Sequence, residues 1–274
     1  MRIAITHTTT YRSTGASRAI QALRLTPPAG PSQAVLSWQV RTQGAGAPLR
    51  YTDAFGNAVE LVASQGPVTD VEIVAEGVVE TTETAGVVGH TGEAMAPAVC
   101  LRQTRLTEPD DAIRTFAESC RRHGILASLH AILDGLHEQV AYDTTATTSE
   151  TTAAAAFAAR RGVCQDHAHI FIAAARTLGI PARYVTGYML TDGGESVAHH
   201  AWAEALAPDL GWIGFDPANG QCPTDRYIRL AIGLDAIEAA PVRGMRLGGA
   251  SEQMEVVVSV AQQGQSQSQS QKQQ

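Results

Sequence analysis

The sequence predicts an α+β protein in which an all-β unit precedes a core that mixes helices with strands. In the first part of the chain, apolar and polar side chains alternate with period two, as in "VLSWQV", and this alternation is typical of half-buried strands. Helical spacing of apolar residues follows over 108–162, and a strand pattern returns in "RYVTGYML". We therefore expect a β-sandwich-like N-terminal domain over residues 1–82 and a core over residues 83–262.

Strand-like runs in the N-terminal unit are separated by turn chemistry. Ile3 and Ile5 alternate with polar or small neighbours, and Val71 and Ile73 do the same. The stretch "DAFGN" between two such runs carries the Asp, Gly and Asn residues that favour tight turns. At the other end of the chain, residues 263–274 form a Gln/Ser-rich tail with no apolar side chain to bury, so we expect it to be disordered.

Three helices are predicted between the β unit and residue 162. The run "EPDDAIRTFAESCRRH" opens with Pro109 and acidic residues and ends on basic residues before Gly124, which matches the preferences of helix ends. The run "ILASLHAILDGLHEQV" repeats apolar positions every three or four residues. The run "TSETTAAAAFAARRG" offers Thr148 or Ser149 as a cap and ends in a glycine, where a helix stops.

Composition and charge exclude several classes of function. The 274 residues carry a net charge of −7, which is unlike a general nucleic-acid binder. The start "MRIAITHTTTYRSTG" lacks the apolar stretch of a secretory signal, and no run of roughly 18 apolar residues predicts a membrane helix. We expect a cytoplasmic protein with neither membrane nor nucleic-acid partners. The cysteines, which form no CxxC pair and are expected to be reduced thiols, are Cys100, Cys120, Cys164 and Cys222.

The stretch "RRGVCQDHAH" places Cys164 in the first turn of a predicted helix that ends at "LGIP". A helix N-terminus has unpaired N–H groups and a partial positive charge. Both favour a thiolate over a thiol, and the same N–H groups could hold an oxyanion formed by attack on a carbonyl. Cys164 is therefore a candidate nucleophile. The alternative is a small apolar residue on the packed stripe of a helix.

Helical geometry also bears on whether Cys164 is a nucleophile or a metal ligand. At about 100° per residue, Cys164 shares a stripe with apolar residues. The opposite side carries Gln165, Asp166, His169 and Arg176. His167 and His169 lie roughly 160° apart, so they cannot both join Cys164 at one ion. We expect no metal site and no other cofactor, with His169 facing solvent and His167 hydrogen-bonded at the border of the core.

A base and an orienting carboxylate are offered by "HHAWAEAL" and "GWIGFDP", two strand-like runs joined by a plausible hairpin loop. Pairing about residue 208 sets His200 opposite Asp216. Pairing about the next residue sets Asp216 opposite Trp202 and diagonal to His200. The face that both registers share carries His200, Trp202, Glu204 and Asp216. Only a half-step slip would bring His199 there instead. An ordinary cross-strand polar pair is the alternative for His200 and Asp216.

Several motifs together resemble one known family. The stretches "RRGVCQDHAHIFIAAARTLGIPARYVTGYM", "HHAWAEAL" and "GWIGFDPANG" resemble the transglutaminase-like superfamily, and more narrowly its bacterial cysteine-peptidase-type proteins with a β-rich N-terminal region. The front of the chain is similar to that region in "ALRLTP", "VLSWQV" and "DAFGN". The stretches "TRLTEPD" and "DRYIRLAIGLDAIEAAPVRG" extend the resemblance, which covers nearly everything except the tail.

The resemblance implies a papain-like core in which the cysteine helix packs on an antiparallel sheet. Carried across, it makes Cys164 the nucleophile, His200 of "HAW" the base and acid, and Asp216 of "FDP" the group that orients His200. His167 is a mild departure, because family members often have an aromatic residue such as Phe at that position. The segment "AIGLDAIEAAPVRG" also differs from the sequence that is usual in the family, but it does not include any of the three catalytic positions.

The predicted chemistry is acyl transfer on a peptide or protein substrate through a thioester. Water as the acceptor makes a peptidase or amidase, which the bacterial resemblance favours, and an amine acceptor makes a transglutaminase. A catalytically silent binding or assembly protein of the same fold is the third alternative. The backbone N–H of Cys164 is one expected oxyanion donor, and the side-chain candidates are Tyr142, Gln165 and Trp202. The sequence leaves the oligomeric state open.

Overall fold

The protein is represented by a computed structural model that describes residues 1–91, 95–191, 199–248 and 251–263. The described residues form two large antiparallel sheets, a two-stranded parallel sheet and four α-helices, which confirms the predicted α+β class. The strands are β1 (Arg2–Leu23), β2 (Gln33–Gln43), β3 (Leu49–Thr52), β4 (Ala58–Ala63), β5 (Val68–Thr81), β6 (Val87–Gly89), β7 (Ala141–Tyr142), β8 (Arg161–Gly162), β9 (Ala182–Met189), β10 (His200–Ala207), β11 (Gly211–Phe215), β12 (Tyr227–Gly233), β13 (Val242–Gly248) and β14 (Glu252–Gln262). The helices are α1 (Asp111–Ser119), α2 (Ile125–Gln139), α3 (Ala153–Ala159) and α4 (Cys164–Thr177), and a 3-10 turn spans Pro97–Leu101.

Strand β1 organises the N-terminal sheet because its 22 residues are enough to pair with four other strands. Its first half pairs with β5 and β14, and its second half pairs with β4 and β13. The register shifts between Arg12 and Ser17, where Gly15 has a φ of +96° that glycine adopts without strain. Inward-facing side chains such as Ile3 and Ile5 are buried. These side chains form one buried cluster with Tyr188, Ile228 and Leu230 of β9 and β12, so the first sheet packs against the second.

The second sheet carries the helices. Its strand order is β12-β9-β10-β11-β6, and α4 packs on β9 and β10. The approach is close because β10 presents small side chains to α4, with Ala201, Ala203 and Ala205 buried in one cluster with the helix. Helices α1, α2 and α3 pack on the remaining sides of α4. The helix is thus enclosed, while Cys164 and Gln165 at its start keep partial solvent exposure.

The helices α1, α2 and α3 all lie within the predicted helical segments. Helix α3 begins later than expected, because its cap is Thr152 rather than Thr148 or Ser149. The Thr152 hydroxyl accepts from the backbone N–H of Ala155 at 3.2 Å, and the residues before it form a separate turn in which Thr151 N–H donates to Thr148 O at 3.1 Å. Among the described residues, no helix combines the length and the apolar character that crossing a bilayer requires.

Strands β13 and β14 return to the N-terminal sheet after the core has been built. Both pair antiparallel with β1, for instance Leu23 with Val242. The predicted division assigned residues 83–262 to the core, whereas these two strands lie in the first sheet, because β1 would otherwise leave backbone groups unpaired along one edge. Apart from this difference, the division into domains stays a prediction. The expected disordered tail, 263–274, lies outside the described residues from residue 264 onward.

Two side-chain amides join the N-terminal unit to the edge strand β12 of the second sheet. Gln33 accepts from the N–H of Arg229 at 2.8 Å and donates to the carbonyl of Arg229 at 2.9 Å. Asn57, from the "DAFGN" turn, accepts from the N–H of Ile232 at 2.9 Å and donates to its carbonyl at 2.8 Å. Each amide satisfies both backbone groups of one β12 residue, as a neighbouring strand would. We call this pair of contacts the amide clamp.

We expect Gln33→Leu to lower the free energy of unfolding by about 1–3 kcal/mol, because it leaves the backbone groups of Arg229 without partners. The matched control is Gln39→Leu, since Gln39 is an exposed residue of the same strand that donates to Glu76; we expect it to change stability by less than about 0.5 kcal/mol. Urea unfolding measures both variants. Equal losses would contradict a specific role for the amide clamp.

Candidate active site

Cys164 is the first residue of α4, and the chain is held tightly around it. Val163 precedes the helix with extended backbone, and its N–H donates to Oδ2 of Asp166 at 2.9 Å. The same oxygen accepts from the Thr147 hydroxyl at 2.6 Å. Gly162 has no room for a side chain, since a Cβ there would lie 2.7 Å from the Asp166 carboxylate. These contacts fix the first turn of α4, so the thiol projects from a well-held helix N-terminus.

His167 ties the same helical turn to the residue before strand β7. Its ring nitrogens lie 2.9 Å from the carbonyl oxygen of Val163 and 3.0 Å from that of Val140. The imidazole is almost fully buried, and the Tyr142 ring lies beside it with centroids 6.2 Å apart. The prediction of a hydrogen-bonded structural histidine is confirmed.

The expectation that His169 faces solvent is wrong. The side chain is fully buried, and its Nε2 accepts from the backbone N–H of Ala236 at 3.1 Å. Arg176, on the same side of α4, is also buried and donates to three backbone carbonyl oxygens. Helical periodicity separates two sides of a helix, but the segments that follow β12 and precede α1 cover the polar side of α4 as well. Burial lowers the pKa of His169 to about 4, which keeps the ring neutral.

Strands β10 and β11 bring His200 and Asp216 together. The strands pair in the register centred on residue 209, with Ala205 opposite Ile213. This is the second of the two predicted registers. His200 Nε2 lies 2.7 Å from Asp216 Oδ2, and both side chains are almost fully buried. The half-step slip does not occur, and His199 instead lies with its Nε2 3.2 Å from ring nitrogens of His7.

The Cys164 side chain interacts with the same imidazole closely enough to help raise its pKa. Because Asp216 takes the Nε2 side of the ring, Nδ1 is the nitrogen left for sulfur. Burial by itself would lower the pKa of His200, but the hydrogen bonds and charges of Asp216 and Cys164 outweigh it and raise that pKa to about 10. The pKa of Asp216 is lowered: burial would raise it, but the hydrogen bond and charge of His200 prevail. The arrangement thus favours a protonated imidazole between thiol and carboxylate at neutral pH.

The indole of Trp202 covers one face of the His200 ring. The two ring centroids are 6.1 Å apart and the rings are inclined by 28°. Strand β9 makes room for the indole with Gly187, where a Cβ would lie 2.6 Å from the Trp202 ring. Since Trp202 is itself buried, its ring keeps water away from the imidazole and strengthens the electrostatic interactions there.

Three further residues surround Asp216 and were not identified from the sequence. Asn219 Nδ2 and the Tyr227 hydroxyl donate to Asp216 Oδ2 at 2.7 and 2.8 Å. Gln221 Nε2 donates to the Tyr227 oxygen at 2.8 Å. Asn219 and Gln221 lie close to Asp216 because the residues after Asp216 form a tight turn. In this turn Asp216 N–H donates to Gln221 O at 2.8 Å, and Gly220 has a φ of +61°. The Asn-Gly pair in "DPANG" is the sequence signal for this turn.

Glu204 shares a strand with His200 but belongs to a different group of charges. It is fully buried, and its carboxylate oxygens accept from Nε of Arg183 and Nε of Arg229, each at 2.7 Å. Burial would raise the pKa of Glu204, but the charges of the two arginines lower it overall. Glu204 therefore joins β9, β10 and β12 as a paired structural anion.

The other side-chain candidates for an oxyanion donor lie nearer the surface. Tyr142 is 56% exposed, and the burial of the rest of its side chain, together with the charges of Cys164 and Asp216, raises its pKa. Gln165 donates to the carbonyl oxygen of Ser149 at 3.4 Å. Within the part of the chain that the structure describes, no group of three His, Cys, Asp or Glu side chains could hold a metal ion.

Two family models match the chain. The transglutaminase-like superfamily matches residues 114–217, and the bacterial transglutaminase-like N-terminal region matches residues 3–80. An uncharacterised protein of Mycobacterium leprae (strain TN) is 28% identical over 275 residues, which cover 94% of this chain and 98% of that protein. An uncharacterised protein of Mycobacterium bovis is 33% identical over 166 residues, which cover 56% of this chain and 52%, or about half, of that protein.

One solved structure shares the fold over nearly the whole chain. The crystal structure of a candidate cysteine protease from Cytophaga hutchinsonii superposes with a TM-score of 0.71 at 22% identity, covering 95% of this chain and 98% of that one. The match confirms the predicted fold, in which a β-rich N-terminal unit accompanies a core with the cysteine helix packed on an antiparallel sheet.

We expect two adjacent histidines to titrate on opposite sides of the ordinary histidine pKa of 6.5. Burial lowers the pKa of His199 to about 4, whereas that of His200 is raised to about 10. Two-dimensional NMR of histidine-labelled protein measures both, with His199→Gln and His200→Gln as assignment variants. Two titrations near the ordinary value would contradict the described environments.

The same shifts predict how stability depends on pH. Because the pKa of His200 is higher in the folded than in the unfolded chain, its contribution is fully present below pH 6.5 and is lost as the pH rises towards 10. His200→Gln should therefore flatten the alkaline loss of unfolding free energy that urea titrations record. His199→Gln is the control, since a lowered pKa affects only the window from 6.5 down to about 4. A parallel alkaline decline in His200→Gln and in the unmodified protein would contradict this prediction.

Proposed function

This chain belongs to the transglutaminase-like superfamily, and we propose that it is a cysteine-dependent acyl-transfer enzyme that hydrolyses peptide or amide bonds. One observation carries the proposal: the buried imidazole of His200 hydrogen-bonds to the Asp216 carboxylate, and its pKa is raised by interaction with both Asp216 and Cys164. These are the three positions to which the family resemblance assigns the nucleophile, the base and the orienting group. A buried charged cluster of this kind adds little stability over apolar packing, which supports a chemical role.

In the proposed first step, the Cys164 thiolate attacks the carbonyl carbon of the amide. The backbone N–H of Cys164, at the N-terminus of α4, donates to the oxyanion that forms. His200 gives its Nδ1 proton to the leaving nitrogen as the C–N bond breaks. The products of this step are a free amine, an acyl thioester on Cys164 and a neutral imidazole.

In the second step, His200 takes a proton from water while the water oxygen attacks the thioester carbonyl. The C–S bond breaks, the free acid leaves, and the thiolate returns beside the imidazolium. Asp216 keeps a proton on Nε2 throughout, so that Nδ1 faces the reacting atoms, and it stabilises the charged ring. An amine that attacks the same thioester would give a new amide, which is the transglutaminase alternative. The silent binding or assembly protein forms no thioester.

We propose a peptide or protein as the substrate and the cytoplasm as the site of action. The cytoplasm keeps thiols reduced, and the proposed chemistry requires Cys164 as a free thiolate.

Iodoacetamide at neutral pH should modify Cys164 faster than Cys120 or Cys222. Burial raises the pKa of the latter two thiols, whereas Cys164 lies at the start of α4 and interacts electrostatically with the His200 imidazole. His200→Ala should slow the reaction of Cys164 and leave the other two rates unchanged. Peptide mass spectrometry measures each site. Equal, slow labelling of all the cysteines would count against the enzyme and favour the silent binding protein.

A peptide-amide library, assayed with and without a primary amine, separates the two acyl acceptors. We expect free acid as the main product in both assays, and Cys164→Ser should reduce turnover by at least about 10³-fold. Cys222→Ser, at another partly exposed cysteine, should retain activity. An amine adduct as the main product would overturn hydrolysis in favour of transglutamination. Turnover that survives Cys164→Ser would refute the proposed nucleophile.

A further inference from the structure

A single carboxylate oxygen of Asp216 receives three donors. His200 Nε2 lies 2.7 Å from Oδ2, Asn219 Nδ2 lies 2.7 Å from it, and the Tyr227 hydroxyl lies 2.8 Å from it. The other oxygen, Oδ1, accepts from the Asn219 backbone N–H at a longer 3.4 Å. The orientation of the carboxylate is therefore decided mainly by what surrounds Oδ2, which is also the atom that faces the imidazole.

Tyr227 is the better fixed of the two additional donors. Its side chain is almost fully buried, whereas Asn219 is exposed. Gln221 donates an amide proton to the Tyr227 oxygen, so the hydroxyl proton of Tyr227 is directed to Asp216. The ring is held edge-on to Trp202 with centroids 5.5 Å apart. The hydroxyl thus approaches Oδ2 from a buried, packed ring, whereas Asn219 approaches it from an exposed turn.

We propose that Tyr227 is a positioning residue of the active site: its hydroxyl locks the Asp216 carboxylate so that Oδ2 stays aligned with His200 Nε2. The inference rests on the proposed acyl transfer, in which Asp216 must hold the imidazole with Nδ1 towards sulfur. The Tyr227 ring also packs edge-on against the His200 imidazole, with centroids 5.7 Å apart, but its hydroxyl acts on the imidazole through Asp216.

The position of Tyr227 depends in turn on the N-terminal unit. Tyr227 is the first residue of β12, and the amide clamp of Gln33 and Asn57 satisfies the open edge of that strand. Asp225, just ahead of β12, also contacts the N-terminal unit, since its carbonyl accepts from the Thr81 hydroxyl. The β-rich unit therefore supports the site through the strand that carries the tyrosine, although it supplies no reacting group.

The test compares Tyr227→Phe with the matched variant Tyr188→Phe. Each variant keeps the ring and loses one buried hydroxyl next to a histidine. Tyr188 lies on the adjacent strand β9, and its hydroxyl oxygen is 2.8 Å from His7 Nδ1. Two quantities are measured in each variant: the rate of Cys164 alkylation by iodoacetamide, and the NMR resonance of the proton between His200 Nε2 and Asp216 Oδ2.

We expect Tyr227→Phe to slow alkylation of Cys164 about tenfold, the effect of one well-placed hydrogen bond. The shared proton should broaden and move upfield, because a freed carboxylate makes on average a longer bond to Nε2. Tyr188→Phe should leave both readouts at their original values. The proposal is overturned if the resonance stays in place or moves downfield in Tyr227→Phe, or if the two variants slow alkylation equally.

The outcome separates this inference from the proposed function. If Cys164 shows no selective alkylation in the unmodified protein, the proposed chemistry fails, while the resonance still reports whether Tyr227 orients Asp216. If Cys164 is selectively alkylated and the resonance does not change in Tyr227→Phe, only the positioning role of Tyr227 is refuted.

Discussion

A carboxylate with no access to solvent must be surrounded by hydrogen-bond donors, and the buried carboxylate of Asp216 meets this requirement at the centre of the candidate site. Its donors come from three separate segments: His200 from β10, Asn219 from the turn after β11, and Tyr227 from β12. A shift of one residue in any of these segments would remove a donor. The register of the second sheet and the geometry of the site are therefore held by the same contacts, and the thiol of Cys164 extends this group at the start of α4.

The β-rich N-terminal unit contributes to the site at a distance. It binds β12 through side-chain amides that take the place of a missing neighbouring strand, and it is itself completed by β13 and β14 from the end of the chain. The two sheets are thus interlocked in sequence: the chain builds most of the first sheet, then the core, and then returns to finish the first. Such an arrangement keeps the edge of β12 ordered where a free edge would fray or pair with another chain.

Much of the site could be predicted from short-range patterns. Period-two alternation set His200, Trp202, Glu204 and Asp216 on one face in either register, and the end of one helix before "RRGVC" set Cys164 at the start of the next. The same reasoning misplaced His169, because a helical wheel records two sides but not what later covers them. It also missed Tyr227, whose hydroxyl reaches Asp216 only because β12 and β11 are brought together by strands that lie between them in the sheet.

The sequence by itself determined the α+β class, the position of Cys164 at a helix N-terminus and the shared face of the hairpin, because each of these follows from the spacing of side chains along one local segment. Tertiary structure decided the register about residue 209, the role of Glu204 as a partner of two arginines, the burial of both sides of α4 and the return of the last strands to β1. These features join segments far apart in the chain, and such contacts are selected by packing and by the need to pair buried polar groups, which no local pattern encodes.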